Sequence, residues 1–212
     1  MNGFHCVIKF LFDRVVALLG LLCLGWFLLA IALVVKLKEP KQPVFFRQRR
    51  VGRHGKVFAM HKFRTMIGEE EGPSVAYLEE ERVTPLGAKL RRHKLDELPE
   101  LWDVLVGTMS FVGPRPDVPG YADQLEGEDR LILKMRPGIT GLATLKYRNE
   151  EAMIADYVQQ AKAQGDPRPE MEIALWYNDY VIYPDKVKLN LEYYRNYSFW
   201  LDLKILFKTL FH

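Results

Sequence analysis

Hydrophobic and polar positions alternate in two different ways along the chain. From Val15 to Val35 the sequence reads VVALLGLLCLGWFLLAIALVV, with no charged residue. As a helix, this run would be about 31 Å long, close to the hydrocarbon thickness of a bilayer. It is longer than the apolar core of a secretory signal, and Lys36-Leu37-Lys38 follows where a cleavage site would stand, so the segment is expected to stay attached. Beyond it the pattern breaks into short amphipathic pieces. Val44–Gln48 and Lys56–Met66 read as strands joined by a turn around Gly52 and Gly55. Ile67–Arg82, with its two acidic triplets, reads as a solvated loop. Thr84-Pro85 supplies a capping hydroxyl and a first-turn proline for a helix running through Leu86, Leu90 and Leu95. Pro99 should interrupt that helix and leave Asp96 and Glu97 at the break, with Leu101, Trp102 and Leu105 on a fresh helix. Residues 150–176 look helical with a break near Gly165-Asp166-Pro167. Ser198 is placed to cap a final helix, Phe199–Phe211, in which Phe199, Leu203, Leu206 and Leu210 share one face. That helix suits either a membrane interface or docking on the core.

Charge sharpens this division. The net charge of the 212 residues is only +3, but residues 1–56 carry ten Lys/Arg against two acids, and the remainder is net acidic. The cluster Lys36, Lys38, Lys41, Arg47, Arg49, Arg50, Arg53 and Lys56 follows the apolar run, so the positive-inside rule puts the following domain in the cytoplasm, near anionic headgroups. A basic footprint confined to one end argues against a nucleic-acid binder. On charge alone, a simple span with the start outside is favoured. Lys9 and Arg14 against Asp13 leave the opposite reading open, with both flanks on one side. Two cysteines, Cys6 and Cys23, exclude a disulfide scaffold and read as free thiols.

No Walker loop, GxGxxG, GxSxG or HExxH motif occurs, and the five histidines show no metal-ligand spacing. The chemistry must come from Arg91-Arg92-His93-Lys94-Leu95-Asp96-Glu97, an adjacent carboxylate pair in a basic context. Lys62 and Arg64 on a strand, Arg115 between two prolines, and Arg136 before Pro137-Gly138 add stiffly held cations, and Arg148 follows shortly. Together they suggest a site for phosphate groups, with arginine forks gripping oxyanions. For Arg136 and Arg148, anchoring a turn is an equal alternative.

The motifs PVFFRQRRVG (43–52), KFRTM (62–66), TPLGAKLRRHKLDELPELWDVLVGTMSFVGPRP (84–116), RPGITGL (136–142) and LDLKILFKT (201–209) occur in order. In these the chain resembles the monotopic bacterial phosphoglycosyl transferases, the bacterial sugar transferase family, in its minimal catalytic form. The resemblance implies an α+β fold, with a membrane-embedded helix over residues 1–36 that is re-entrant. A cytoplasmic catalytic domain over residues 37–212 would carry a β-hairpin and interfacial amphipathic helices. It implies transfer of a sugar 1-phosphate from a UDP-sugar to polyprenol phosphate, at the cytoplasmic face of the bacterial inner membrane. Asp96 would be the nucleophile and Glu97 its partner, both available to Mg2+, with Arg91 and Arg115 on phosphate. Lys62 and Arg64, then Arg136 and Arg148, would follow as further phosphate contacts. Membrane lipids and downstream glycosyltransferases are the implied partners, and nucleic acid is not. Many members break the membrane helix with Ser-Pro, where this chain has Gly25-Trp26. A catalytically silent, membrane-anchored subunit of the same fold is the competing reading.

Overall fold

The computed structural model of the protein describes residues 3–68 and 82–211. The acidic stretch 69–81, most of the expected solvated loop, lies outside the described residues. The expected α+β class holds: a long apolar helix leads into a small globular domain with a β-hairpin.

Helix α1 runs unbroken over Gly3–Lys38, and Gly25 introduces no interruption. It begins well before the uncharged run because Lys9 and Asp13 sit on the face turned toward the protein. Lys9, Asp13, Ala17, Ile31 and Val35 are buried along that face, at the three- and four-residue steps that keep side chains on one side of a helix. The other side leaves Leu22, Trp26, Leu29 and Leu33 exposed. Length and composition suffice for α1 to cross a membrane, which points to a membrane location.

Both ends of α1 dock on the same globular body. Near its start, Lys9 donates to Asp202 at 2.7 Å, and Arg136 donates to Asp13 at 3.0 Å. In the middle, Ala17 packs with Met60, Val104 and Met109. Toward its end, Ile31 and Val35 pack with Phe63 and Leu90.

Strands β1 (Phe45–Val51) and β2 (Val57–Phe63) pair antiparallel, with Phe45 opposite Phe63 and Val51 opposite Val57. A 3-10 turn at Arg53–Gly55 joins them. Helix α2 (Pro85–Arg92) starts as expected, with Gly87 N–H donating to the Thr84 hydroxyl at 2.9 Å. It ends earlier than Leu95, because Lys94 adopts a left-handed backbone (φ 54°) that turns the chain into a 3-10 turn at Leu95–Glu97. Helix α3 (Glu100–Val106) follows the proline.

Two three-residue strands come next, β3 (Ser110–Val112) and β4 (Gly138–Thr140), paired in parallel. The sequence pattern does not announce them, since both adjoin what read as stiff turns. Helices α4 (Leu142–Lys146), α5 (Glu150–Ala163), α6 (Glu170–Tyr177), α7 (Tyr183–Arg195) and α8 (Phe199–Phe211) complete the order. The expected break near residues 165–167 separates α5 from α6. The Ser198 hydroxyl caps α8 by accepting from Leu201 N–H at 3.1 Å. The face of α8 that docks carries Asp202 and Ile205, and Thr209 shares a hydrogen bond with Thr140. Trp200, Phe207, Leu210 and Phe211 stay exposed. Leu210 shares the expected face with Phe199, Leu203 and Leu206 but is exposed, because the docked side of the helix is centred on Asp202 and Ile205.

Candidate active site

The 3-10 turn after Lys94 carries Asp96 and Glu97 into the body of the domain. Asp96 is 7% exposed, and its Oδ1 has no hydrogen-bond partner among the described residues. Burial pushes its carboxyl up from the ordinary aspartate range, and Lys62 opposes that shift. Glu97 accepts from Lys62 at 2.8 Å and from Arg115 at 2.5 Å, both on Oε1. Burial alone would raise its carboxyl, but the Arg115 and Lys62 charges overcome this and hold it well below the carboxylate range. Glu97 is therefore ionised at neutral pH, whereas Asp96 is a desolvated and more basic carboxylate.

The cations of this cluster are held by short, stiff pieces of backbone. Lys62 sits near the end of β2, where His61 beside it accepts two restraints from α3. Its backbone N–H donates to Asp103 Oδ2 at 2.9 Å, and its ring Nδ1 bonds Oδ1 at 2.8 Å. Arg115 rides on the Gly113-Pro114-Arg115-Pro116 loop, clamped from both sides. On one side, Gly113 N–H donates to Thr140 and Gly138 N–H to the Pro114 carbonyl. A Cβ on Gly138 would stand 2.1 Å from Gly113 N, so only glycine lets these backbones approach so closely. On the other side, Arg50 donates to the Pro116 carbonyl at 3.0 Å, and Val51 N–H donates to the Asp117 carbonyl. The two prolines and these bonds limit the freedom that Arg115 would lose on gripping an oxyanion.

Of the residues singled out in the sequence, Asp96, Glu97, Lys62 and Arg115 come together. Arg91 is adjacent. It donates to Thr65 Oγ1 at 3.1 Å and to Met66 Sδ, and its charge reaches Asp96. Arg64 does not join them. Strand β2 ends at Phe63, and the Arg64 guanidinium turns to the carbonyls of Pro43 and Gly68. Arg136 pairs through Nη2 with Asp13 of α1, away from the dyad. Arg148 is exposed and has no ion pair among the described residues.

Two residues of the cluster escaped the sequence reading. Glu100 is almost fully buried, lies 3.5 Å from Lys62, and has its carboxyl raised by burial. Arg50, also largely buried, holds the proline loop, and burial followed by the nearby Arg115 lowers its pKa to about 10. The signal for Glu100 was its place three residues after Glu97, which a helical turn puts on the same side. The signal for Arg50 was weaker, since only strand alternation separates it from its basic neighbours.

A desolvated carboxylate with an unpartnered oxygen, set among cations on short, stiff segments, has the chemistry that phosphoryl transfer asks for. Comparison with known sequences agrees with that class. The chain belongs to the bacterial sugar transferase family, whose model matches residues 4–212. It is 35% identical to the uncharacterized sugar transferase EpsL of Bacillus subtilis, over 96% of this chain and 86% of that protein. It is 38% identical to the UDP-glucose:undecaprenyl-phosphate glucose-1-phosphate transferase of Escherichia coli K12, over 100% of this chain and 41% of that one. It is 37% identical to the protein of the same name from Klebsiella pneumoniae, again over 100% of this chain and 41% of the relative. The chain thus spans about two fifths of the length of the latter two.

Proposed function

We propose that this chain is a phosphoglycosyl transferase that moves a sugar 1-phosphate from a UDP-sugar to undecaprenyl phosphate through a covalent aspartyl intermediate. The observation that carries the reading is the buried, unpartnered Oδ1 of Asp96 beside the Lys62–Glu97–Arg115 cluster. Asp96 attacks the phosphorus that bears the sugar, and the bond from that phosphorus to the UMP oxygen breaks. UMP leaves with the electron pair. An oxygen of the lipid phosphate then attacks the same phosphorus, breaks its bond to Asp96, and restores the free carboxylate. The names of the relatives support a UDP-sugar donor and an undecaprenyl phosphate acceptor.

Lys62 and Arg115 neutralise Glu97 in the resting site and stand where the negative charge of a pyrophosphate would arrive. Arg91 adds to that field from α2. Positioning and charge neutralisation are most of what phosphoryl transfer asks of a protein. Among the described residues, no group of three or more His, Cys, Asp or Glu side chains is placed to hold a metal. Magnesium needs only one or two carboxylates beside phosphate oxygens and water. The free oxygen of Asp96 fits that need, with Glu97, whose ion pairs both use Oε1, as a second donor. When bound, Mg2+ would offset the charge of the pyrophosphate.

Docking of both ends of α1 on one body supports placing both ends on the cytoplasmic side of the inner membrane, although α1 runs without the break that the expected re-entrant turn needs. A simple span would pull Lys9 away from Asp202. A cysteine placed at Asn2, in a background lacking Cys6 and Cys23, should then react only with reagent on the cytoplasmic side. Labelling from outside would refute the placement.

The enzymatic test is UMP release by the solubilised protein with Mg2+ and undecaprenyl phosphate across a panel of UDP-sugars. Lipid-dependent release is expected, and Asp96→Asn should abolish both turnover and covalent labelling by the donor. Normal turnover in that variant would remove Asp96 as nucleophile. Absence of release with every sugar would favour the silent-subunit reading.

A further inference from the structure

At the turn end of the β-hairpin, away from the dyad, lies a cavity of about 330 Å³. Its charged lining is Lys9, Arg53, Lys56, Lys134 and Arg136, with no carboxylate among the lining residues. Two of these charges are answered, Lys9 by Asp202 and Arg136 by Asp13. Arg136 is only half satisfied, since its Nη1 is buried without a hydrogen-bond partner among the described residues. Arg53, Lys56 and Lys134 are exposed and form no ion pair among the described residues. Arg53 also donates through Nε to the Lys134 carbonyl at 2.9 Å, which holds two of the three close together. Three like charges gathered at one mouth repel one another, and that cost is relieved when an anion enters.

The rest of the lining is apolar. Phe10, Val57, Phe58 and Met135 contribute, and Cys6, Lys9 and Phe10 belong to α1. Beside them on that helix, Val7 and Leu11 are exposed. An occupant would therefore meet cations on one side and apolar surface of the membrane helix on the other.

We propose that this cavity binds the phosphate of an anionic amphiphile, that is, a phospholipid headgroup, at a site separate from the dyad. None of Lys62, Asp96, Glu97 or Arg115 lines it. From Lys62 to Val57, β2 runs five residues, about 17 Å of strand. The proposal does not rest on the transferase reading. A headgroup held there would tie the start of α1, the hairpin turn and the segment before β4 to the plane of the lipid phosphates.

The test uses the full chain in a neutral detergent. Dihexanoyl phosphatidylglycerol, dihexanoyl phosphatidylcholine and inorganic phosphate are each titrated in, with binding read by native mass spectrometry. Phosphatidylglycerol should bind more tightly than the other two. The double variant Lys56→Gln/Lys134→Gln should weaken it by about tenfold or more, as expected for the loss of two charge-assisted contacts. Both side chains are exposed, so an unchanged melting temperature will confirm that the variant is folded. Equal binding of the two lipids, or unchanged binding in the double variant, would overturn the proposal. Inorganic phosphate binding as tightly as the lipid would overturn the amphiphile and leave a free-phosphate site. Loss of lipid binding in Arg115→Ala would place the lipid at the dyad and overturn it as well.

Discussion

Removal of the Lys62 charge by Lys62→Met tests the electrostatic account of the site most directly. Lys62 Nζ lies 2.8 Å from Glu97 and 3.5 Å from Glu100, and its side chain is 15% exposed, against 14% and 1% for the two acids. Taking one partner from a buried ionic pair typically costs about 3–5 kcal/mol, because an uncompensated charge stays behind. Arg115 still faces Glu97, so the lower figure, about 3 kcal/mol, is expected at pH 8. The cost should depend on pH in a definite direction. Glu100 already has its carboxyl raised from 4.5 to about 7 by burial, with Lys62 holding it down. An acid raised in the folded state contributes stability that is present below its unfolded pKa and lost as pH rises through the folded one. Without Lys62 the folded value climbs further, so the variant keeps losing stability above pH 7, where the wild type has already levelled off. Glu97 works oppositely. Its lowered carboxyl stabilises above 4.5, and part of that is lost with Lys62 at every neutral pH. The gap between variant and wild type should thus be present at pH 5.5 and wider at pH 8. For a chain of this size, about 3 kcal/mol corresponds to a fall of roughly 6–12 °C in melting temperature. Thermal melts of the detergent-solubilised protein at both pH values measure it. A gap that stays constant or narrows toward pH 8 would refute the placement of Lys62 between the two acids.

Arg115→Ala should lower kcat/KM by about tenfold or more, with a smaller fall in melting temperature than Lys62→Met, because its side chain is 41% exposed and Lys62 still pairs with Glu97; unchanged kinetics would remove it from the phosphate site. Gly138→Ala should destabilise by about 3 kcal/mol, since the new Cβ meets the Gly113 backbone, and a native melting curve would refute the close approach. Lys94→Gly should be neutral or stabilising by up to about 1 kcal/mol, whereas Lys94→Val should lose about 1–2 kcal/mol, because Lys94 sits at φ 54°; equal effects of the two would remove strain from the account of this turn.

What could be read from the sequence was local. Caps and breakers set the start of α2 at Thr84-Pro85, the gap between α5 and α6, and the start of α8 at Ser198, and each is observed. The acidic dyad and the proline-flanked arginine were legible because adjacent carboxylates and doubled prolines are unusual local patterns. What could not be read was the product of tertiary approach. Strands β3 and β4 have only three residues each and exist because Gly113 and Gly138 allow two turns to touch. Lys62 and Arg64 looked equivalent on an alternating strand, yet β2 stops between them. Glu100 carries no local motif of its own, and only the fold shows it among Lys62, Glu97 and Asp103.

The start of α1 shows why charge counting gave an ambiguous topology. Lys9, Asp13 and Arg14 were weighed as flanking charges of a membrane segment, which presumes that they face water or headgroups. Lys9 and Asp13 do neither. They are buried, one against Asp202 and the other against Arg136 and the Phe111 N–H. Tyr193 donates to the second oxygen of Asp202, so that carboxylate is satisfied by two different elements. Charges spent on pairs inside the protein cannot also report which side of a bilayer they prefer. Two buried pairs are a weak source of net stability, but they are directional. An apolar helix has no preferred rotation against a globular surface. Lys9 and Asp13, four residues apart on one face, fix that rotation and set which stripe, Leu22, Trp26, Leu29 and Leu33, is left for lipid. The polar residues at the start of α1 thus orient the helix, and its apolar run provides the surface that is oriented.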